Sequence, residues 1–129
     1  MSALTFHLPM CLEAQATQPG DPDAYDLVYL QYALHQLDDA SAVLAAAWAA
    51  LRPGGRIVVL DWPLPSGPEE FRTRHGELIA GVQLDELFQG TALATREQFT
   101  SWFTDAGLPT PQAIDLPSGA MAFVAERPA

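Results

Sequence analysis

Basic residues are scarce in this sequence. Six Lys and Arg stand against sixteen Asp and Glu in 129 residues, which gives a formal charge of −10 at pH 7. Nucleic acids and anionic membranes are bound through clusters of basic side chains. We therefore expect neither nucleic acid nor a membrane as a partner of this protein.

Cysteine and long apolar runs are also rare. Cys11 is the only cysteine, so no internal disulfide can form, which fits a reducing cytoplasm. No apolar run approaches the roughly 18 residues that a membrane-spanning helix requires. The opening MSALTFHLPM has no basic region of the kind that begins a secretory signal. We expect a soluble cytoplasmic protein of one domain.

The stretch 24–62 predicts a strand, a helix, a tight turn and a second strand. Residues 26–30 (DLVYL) and 56–60 (RIVVL) are short apolar runs, typical of strands that are covered on both faces in a parallel sheet. A helix is expected between them, from about residue 39 to 52, with an aspartate as its cap and Pro-Gly-Gly at 53–55 as its stop. Its apolar positions follow the helical spacing i, i+3, i+4, i+7: Leu44, Ala47, Trp48 and Leu51.

Helices are also predicted in the second half of the chain. Residues 69–89 are expected to form two helical segments or a bent helix, because Gly76 and Gly81 weaken the pattern. A further helix begins at Thr95, where Gln98 completes a capping box. Apolar stripes at helical spacing accompany these helices: Phe71, Leu78 and Val82 in one; Leu84, Leu87 and Phe88 in another; Phe99, Trp102, Phe103 and Ala106 in the last.

Three further short strands are predicted. One lies near residues 3–8, and two others near 112–116 and 120–125. Only a turn separates the last two, so they must be antiparallel, and the sheet should be mixed.

The order of these pieces resembles the C-terminal half of a class I S-adenosylmethionine-dependent methyltransferase, of the small-molecule O-methyltransferase type. The resemblance covers about residues 24–127. The matching motifs, in order, are Tyr25-Asp26-Leu27-Val28, Ala33-Leu34-His35 with Asp38-Asp39, Leu51-Arg52-Pro53-Gly54-Gly55-Arg56, the strand that ends in Asp61, and the late helix within Thr95–Leu108. The resemblance implies a truncated Rossmann-like α/β fold, a single partial domain over residues 1–129, with a mixed sheet of about five strands and a C-terminal antiparallel hairpin.

The cofactor-binding half of that family has no counterpart in this sequence. Complete members open with a strand, a glycine-rich loop and a helix that hold the cofactor, and no G-x-G-x-G occurs here. The segment 4–13 is similar to the family's third strand and its following loop. That loop usually carries an acidic residue beside the adenine, and the corresponding place in this sequence falls near Met10-Cys11. We expect S-adenosylmethionine to bind only if a partner chain completes the site, and weakly or not at all to the isolated chain. No cofactor-binding residue is assigned.

Without the family's first two strands, the strand at Asp26–Leu30 would be a bare apolar edge, which is a template for pairing. The strand at Ala3–Leu8 could move into the vacant place, two copies could pair, or a second polypeptide could supply the missing half. We expect a partner chain or a second copy to cover this edge.

His35 is the candidate catalytic residue, because a histidine in the matching place of many O-methyltransferases removes the proton from the substrate hydroxyl; the alternative is packing at the strand end. Asp61 ends a strand at the edge where open α/β sheets bind ligands, so it could touch substrate or be a solvated carboxylate. Tyr32 and Trp62 flank the same edge and could line a substrate pocket or belong to the core. No metal site is predicted, since Pro9 interrupts the only suggestive pair, His7 and Cys11.

Three functions remain open from the sequence. The chain could be a subunit of a split or heteromeric methyltransferase that acts on a small molecule and supplies the substrate side. It could be a non-catalytic partner or pseudoenzyme that binds and stabilises a related protein. It could also be a truncated fragment that forms a homodimer and performs other chemistry in the old cleft.

Overall fold

The computed structural model describes residues 3–7, as backbone, and residues 21–129. Within these ranges the strands form a five-stranded mixed sheet with the order β1-β2-β3-β5-β4. The first three strands are parallel, whereas β5 runs antiparallel to β3 and β4 runs antiparallel to β5. The strands are β1 Ala3–His7, β2 Tyr25–Gln31, β3 Leu51–Asp61, β4 Gln112–Asp115 and β5 Met121–Glu126. The mixed α/β architecture and the C-terminal hairpin are as the sequence predicts.

The described residues contain four α-helices and one short 3-10 turn, at Leu34–Gln36. The helices are α1 Ala40–Ala50, α2 Pro68–Phe71, α3 Arg74–Phe88 and α4 Arg96–Asp105. None of the helices in this part of the chain is long and apolar enough to cross a membrane.

The start of helix α1 and the capping box of α4 confirm the sequence prediction in detail. The Asp39 carboxylate accepts a hydrogen bond of 2.9 Å from the backbone N–H of Ala42. Thr95 and Gln98 exchange the two reciprocal bonds of a capping box. The end of α1 differs from the prediction, since the helix stops at Ala50 and the Pro-Gly-Gly segment lies inside β3. There the pairing of β2 with β3 is irregular, and Gly54 adopts a φ of +81°.

The edge of the strand at Asp26–Leu30, for which we expected a partner chain or a second copy, is covered within the described part of the chain. Strand β1 pairs with β2 in parallel, from Ala3 opposite Leu27 to His7 opposite Gln31. The backbone groups of β2 therefore have neighbours on both sides, as an inner strand requires. Of the three solutions considered, the structure has the first, in which the N-terminal strand occupies the vacant place. A partner is not needed to cover β2.

The core lies where β2, β3 and β5 face helices α1 and α4. Phe99 stacks on Phe123 with ring centroids 4.8 Å apart, and both rings are fully buried. Phe103 of α4 is also fully buried in the same cluster. The apolar stripe predicted for this last helix is confirmed as part of the core.

The predicted helix at 69–89 is divided, but not at its glycines. The break falls at Arg72 and Thr73, between α2 and α3. Gly76 instead permits a close approach, because a Cβ on this residue would lie 2.0 Å from the carbonyl oxygen of Glu70. The buried residues of α3 are Gly76, Ile79 and Glu86, whereas Leu84, Leu87 and Phe88 face outward.

Candidate active site

The carboxyl ends of β2 and β3 form the edge that positions the candidate site. The two strands are parallel, with Gln31 opposite Leu60, so the residues that follow them emerge side by side. His35 lies in the 3-10 turn directly after β2. Asp61 is the last residue of β3 and continues the buried alternation of Ile57 and Val59, so its side chain points inward.

His35 and Asp61 form a buried pair. The Nδ1 atom of His35 lies 2.7 Å from Oδ2 of Asp61, and the two side chains are 3% and 1% exposed. The other oxygen of Asp61 accepts a hydrogen bond of 2.8 Å from the backbone N–H of Trp62. An ionised carboxylate can only accept hydrogen bonds, so Nδ1 of His35 carries a proton and donates a hydrogen bond to Asp61. The lone pair of the neutral ring is therefore on Nε2.

This arrangement settles one of the alternatives left open for Asp61. It is a buried carboxylate, and the reading as a solvated strand-end residue is wrong. Both of its oxygens are engaged by protein donors, which suits a group that orients His35. The prediction that Asp61 touches substrate remains a prediction.

The charges around His35 raise its pKa. Burial alone would lower it, but the hydrogen bond and charge of Asp61, together with the charge of Glu86, outweigh burial and raise the pKa of His35 above its ordinary value. Burial also raises the pKa of Asp61, against the opposing effect of His35. His35 therefore keeps its proton to a higher pH than an ordinary histidine.

Glu86 of α3 is the functional candidate that sequence reasoning missed. Its Oε1 atom lies 3.4 Å from Nε2 of His35, and Thr91 and Gln36 donate hydrogen bonds to its carboxylate. Burial raises the pKa of Glu86, but these hydrogen bonds and the nearby His35 reverse the effect and lower it. An available signal was its spacing of seven residues from Ile79, which places both on one helical face.

Tyr32 and Trp62 lie beside each other at this edge. Their ring centroids lie 5.0 Å apart at an interplanar angle of 41°. Tyr32 adopts a φ of +52°, a left-handed conformation that costs a non-glycine residue about 1–2 kcal/mol. Such strain is often found at functional sites. Their contact with substrate stays a prediction.

Two buried polar atoms of this region have no hydrogen-bond partner within the part of the chain that the structure describes. They are Nε2 of His35 and Nε1 of Trp62. Buried polar groups are normally paired, so both atoms are suited to bind a group that comes from outside the chain. Nε2 of His35 can accept a hydrogen bond when the imidazole is neutral, and the indole Nε1–H of Trp62 can donate one.

The described residues do not form a cradle for S-adenosylmethionine. Glycines with positive φ in residues 21–129 are Gly54, Gly90, Gly107 and Gly119, and none of them follows the carboxyl end of a parallel strand. Because a cofactor of this kind needs a loop that lets the backbone approach it, these residues do not fit the group by themselves. The Met10-Cys11 position lies outside the described residues.

A cavity elsewhere on the chain and the placement of possible metal ligands are separate from the predicted site residues. A cavity of about 270 Å³ lies beside the loop after β3, where its lining includes Leu64, His75, Arg96 and Gly119. Across the described ranges, no group of three His, Cys, Asp or Glu side chains could hold a metal ion. The side chains of His7 and Cys11 are outside the description.

Comparison with known proteins connects this geometry to a family. The methyltransferase domain family matches residues 3–59. The 27-O-demethylrifamycin SV methyltransferase of Amycolatopsis mediterranei is 31% identical over 107 residues, which are 80% of this chain and 36% of that protein. A ubiquinone/menaquinone biosynthesis C-methyltransferase of Desulfotalea psychrophila is 42% identical over 48 residues, 37% of this chain and 20% of that protein.

Solved structures give the same result at the level of the fold. Human N-acetylserotonin methyltransferase, solved in complex with SAM, superimposes with a TM-score of 0.68 at 24% identity, over 85% of this chain and 32% of that one. The chain thus spans about a third or less of the length of these relatives. Residues 3–59 of this chain thus match the methyltransferase domain family, and the fold of its described residues is similar to that of solved methyltransferases.

Proposed function

We propose that this chain is the substrate-side subunit of a split or heteromeric S-adenosylmethionine-dependent methyltransferase, acting on a hydroxyl group of a small molecule. The observation that carries the proposal is the buried His35–Asp61 pair, in which Nδ1 is held by Asp61 and Nε2 has only the Glu86 carboxylate beside it, at 3.4 Å. A donor–acceptor arrangement of this kind holds a histidine in the tautomer that a general base requires.

In the proposed reaction, Nε2 of neutral His35 removes the proton from the substrate hydroxyl as its oxygen becomes methylated. Asp61 then stabilises the imidazolium through Nδ1 at 2.7 Å. Glu86 also favours the imidazolium, because its carboxylate lies 3.4 Å from Nε2. The hydroxyl must come within about 2.6–3.2 Å of Nε2, so substrate binding requires the Glu86 carboxylate to move aside.

The partner in this proposal is a chain that carries the glycine-rich half. S-adenosylmethionine held by that chain supplies the methyl group. Support comes from the absence of G-x-G-x-G in the sequence and from the lack of a suitable glycine loop in the described residues. Because β1 already pairs with β2, the partner in this proposal docks elsewhere than on β2.

The alternative is a non-catalytic partner of a related enzyme. It is favoured by the Glu86 carboxylate beside Nε2, which opposes access to the base. Against it stands the desolvation cost of burying a charged pair, since replacing such a pair by apolar residues of similar volume is often neutral or stabilises a protein by about 1–4 kcal/mol. A chain without catalysis gains little from retaining that pair.

Reconstitution tests the proposal. The chain is mixed with the cofactor half of the Amycolatopsis relative, and transfer of a labelled methyl group to small hydroxyl compounds is measured. We expect transfer only when both chains are present. His35→Gln should lower kcat by about 10²–10⁴, which is the usual contribution of a general base.

His75→Gln is the matched control, because His75 lies outside the candidate site and should leave the rate unchanged. Full activity of His35→Gln would contradict the role of His35. Binding of the cofactor half without any methyl transfer would favour the non-catalytic alternative.

A further inference from the structure

Helix α3 has its apolar side turned outward. Leu84, Leu87 and Phe88 follow one another at i, i+3 and i+4, so they share one face of the helix. Their side chains are 58%, 57% and 83% exposed. We define these three residues as the outer α3 face.

The sides of α3 that pack against the rest of the chain include polar groups. Gln83, beside the outer α3 face, accepts a hydrogen bond of 2.7 Å from the backbone N–H of Leu93, and on the far side buried Glu86 lies beside His35. A surface helix of a soluble protein normally has the reverse arrangement, with apolar residues toward the core. Three exposed apolar side chains on one helix face are the kind of feature from which interaction surfaces are built.

The charge around this face selects its partner. Between His75 and Arg96 the exposed charged residues are Glu77 and Asp85, both acidic, and the sequence has no basic residue in this interval. The last turn of α3 contains no basic side chain to oppose the helix dipole, which adds roughly half a negative charge at the C-terminal end. The outer α3 face is thus an apolar patch in a negative field.

We propose that the outer α3 face is the docking surface for a different protein, which presents an apolar helix face flanked by Lys and Arg. Apolar contact with Leu87 and Phe88 supplies the affinity, as amphipathic helices bind in other complexes. Basic side chains of the partner meet Asp85 and the C-terminal end of α3, and they set the orientation.

A second copy of this chain is a poorer occupant. Pairing two outer α3 faces would bring two Asp85 side chains and two negative helix ends together, and each chain carries a formal charge of −10. Like charges in an interface oppose association. A partner with basic side chains is therefore the better occupant of the outer α3 face, whatever the role of His35.

Binding of a designed probe tests this surface on the full chain. The probe is a helical peptide of about 20 residues with a leucine stripe flanked by lysines, and the control peptide has glutamates in place of the lysines. Fluorescence anisotropy should show binding of the lysine peptide that weakens as salt is raised. The double substitution Leu87→Gln/Phe88→Gln should weaken it by about tenfold.

Ile114→Gln is the matched control, because Ile114 is an exposed apolar residue of β4 and its loss should leave binding unchanged. Leu84→Gln serves as a second variant, and circular dichroism checks that each variant is folded. Equal binding by wild type and both outer-face variants, or equal binding of the glutamate peptide, would overturn the proposal. So would a dimer of the chain that Leu87→Gln/Phe88→Gln dissociates, since the occupant would then be a second copy.

Discussion

His35 and Asp61 are 26 residues apart in the sequence, yet Nδ1 of one lies 2.7 Å from Oδ2 of the other. His35 follows strand β2 and Asp61 ends strand β3. These strands are parallel neighbours, so their carboxyl ends lie at the same edge of the sheet. The contact converts an isolated histidine into an oriented one. It also makes the properties of His35 depend on Asp61, which can be tested.

The first prediction concerns the titration of His35. Two carboxylates raise the pKa of His35 despite its burial, so NMR of the ring should give a value above the ordinary 6.5. Asp61→Asn removes the main stabilising charge but leaves burial in place, so the pKa should fall. Asp115→Asn, at an exposed strand residue, is the control; an equal pKa in Asp61→Asn and wild type would contradict the coupling.

The second prediction is the pH dependence of methyl transfer in the reconstituted enzyme. A general base works when it is neutral, and the raised pKa of His35 keeps it protonated to higher pH. The rate should therefore increase as pH rises through that pKa. In Asp61→Asn the increase should begin at lower pH, with a lower maximum rate, whereas an unshifted profile would show that another group limits the reaction.

The third prediction is that the isolated chain does not bind S-adenosylmethionine. No G-x-G-x-G occurs in its sequence, and a glycine-rich loop is what allows the backbone to approach such a cofactor. Titration calorimetry of the purified chain should give no heat of binding. Micromolar affinity would instead mean that this chain forms a cofactor site of its own, and the need for a partner would disappear.

The fourth prediction compares two glycines of α3. Gly81→Ala should stabilise the protein by about 0.5–1 kcal/mol, because alanine is the better helix former and no atom lies within 4 Å of its Cβ position. Gly76→Ala should destabilise it, because its Cβ would lie 2.0 Å from the carbonyl oxygen of Glu70. Urea unfolding measures both. If both substitutions raised the free energy of unfolding, α2 would have to shift away from residue 76 at little cost.

The fifth prediction compares two phenylalanines of very different exposure. Phe99→Ala should lower the free energy of unfolding by about 3–5 kcal/mol, because its ring is fully buried and stacks on Phe123. Phe88→Ala should change it by less than about 0.5 kcal/mol, because Phe88 is 83% exposed. A large loss for Phe88→Ala would mean that the outer α3 face is already covered within the chain.

Local signals in the sequence predicted much of the fold. The capping box at Thr95, the cap at Asp39 and the stripe with Phe99 and Phe103 depend on neighbours within one or two helical turns, so their geometry follows from spacing. The C-terminal hairpin was predictable because only a turn separates its strands. Asp61, Tyr32 and Trp62 were found because they follow or end predicted strands, whereas His35 was found through the family resemblance.

Other features required contacts that spacing does not encode. Side chains alternate between the two faces of a strand, so the series Ile57, Val59, Asp61 could have predicted that Asp61 points inward. The same pattern could not have predicted its contact with His35. Glu86 enters the site only because α3 packs with its polar side inward, against the usual preference. The sequence left three ways of covering the β2 edge open, and it favoured a partner over the observed pairing with β1, because the pairing is a choice between distant segments.

The sequence by itself determined the helices, the strands and the family resemblance, because each rests on short-range patterns of polarity and turn residues. Only the tertiary structure decided that β1 fills the place beside β2, that Asp61 and Glu86 lie on either side of His35, and that Leu84, Leu87 and Phe88 face outward. These outcomes depend on which surfaces remain available once the sheet has formed. That competition between distant segments is settled by packing and hydrogen bonding in the whole molecule.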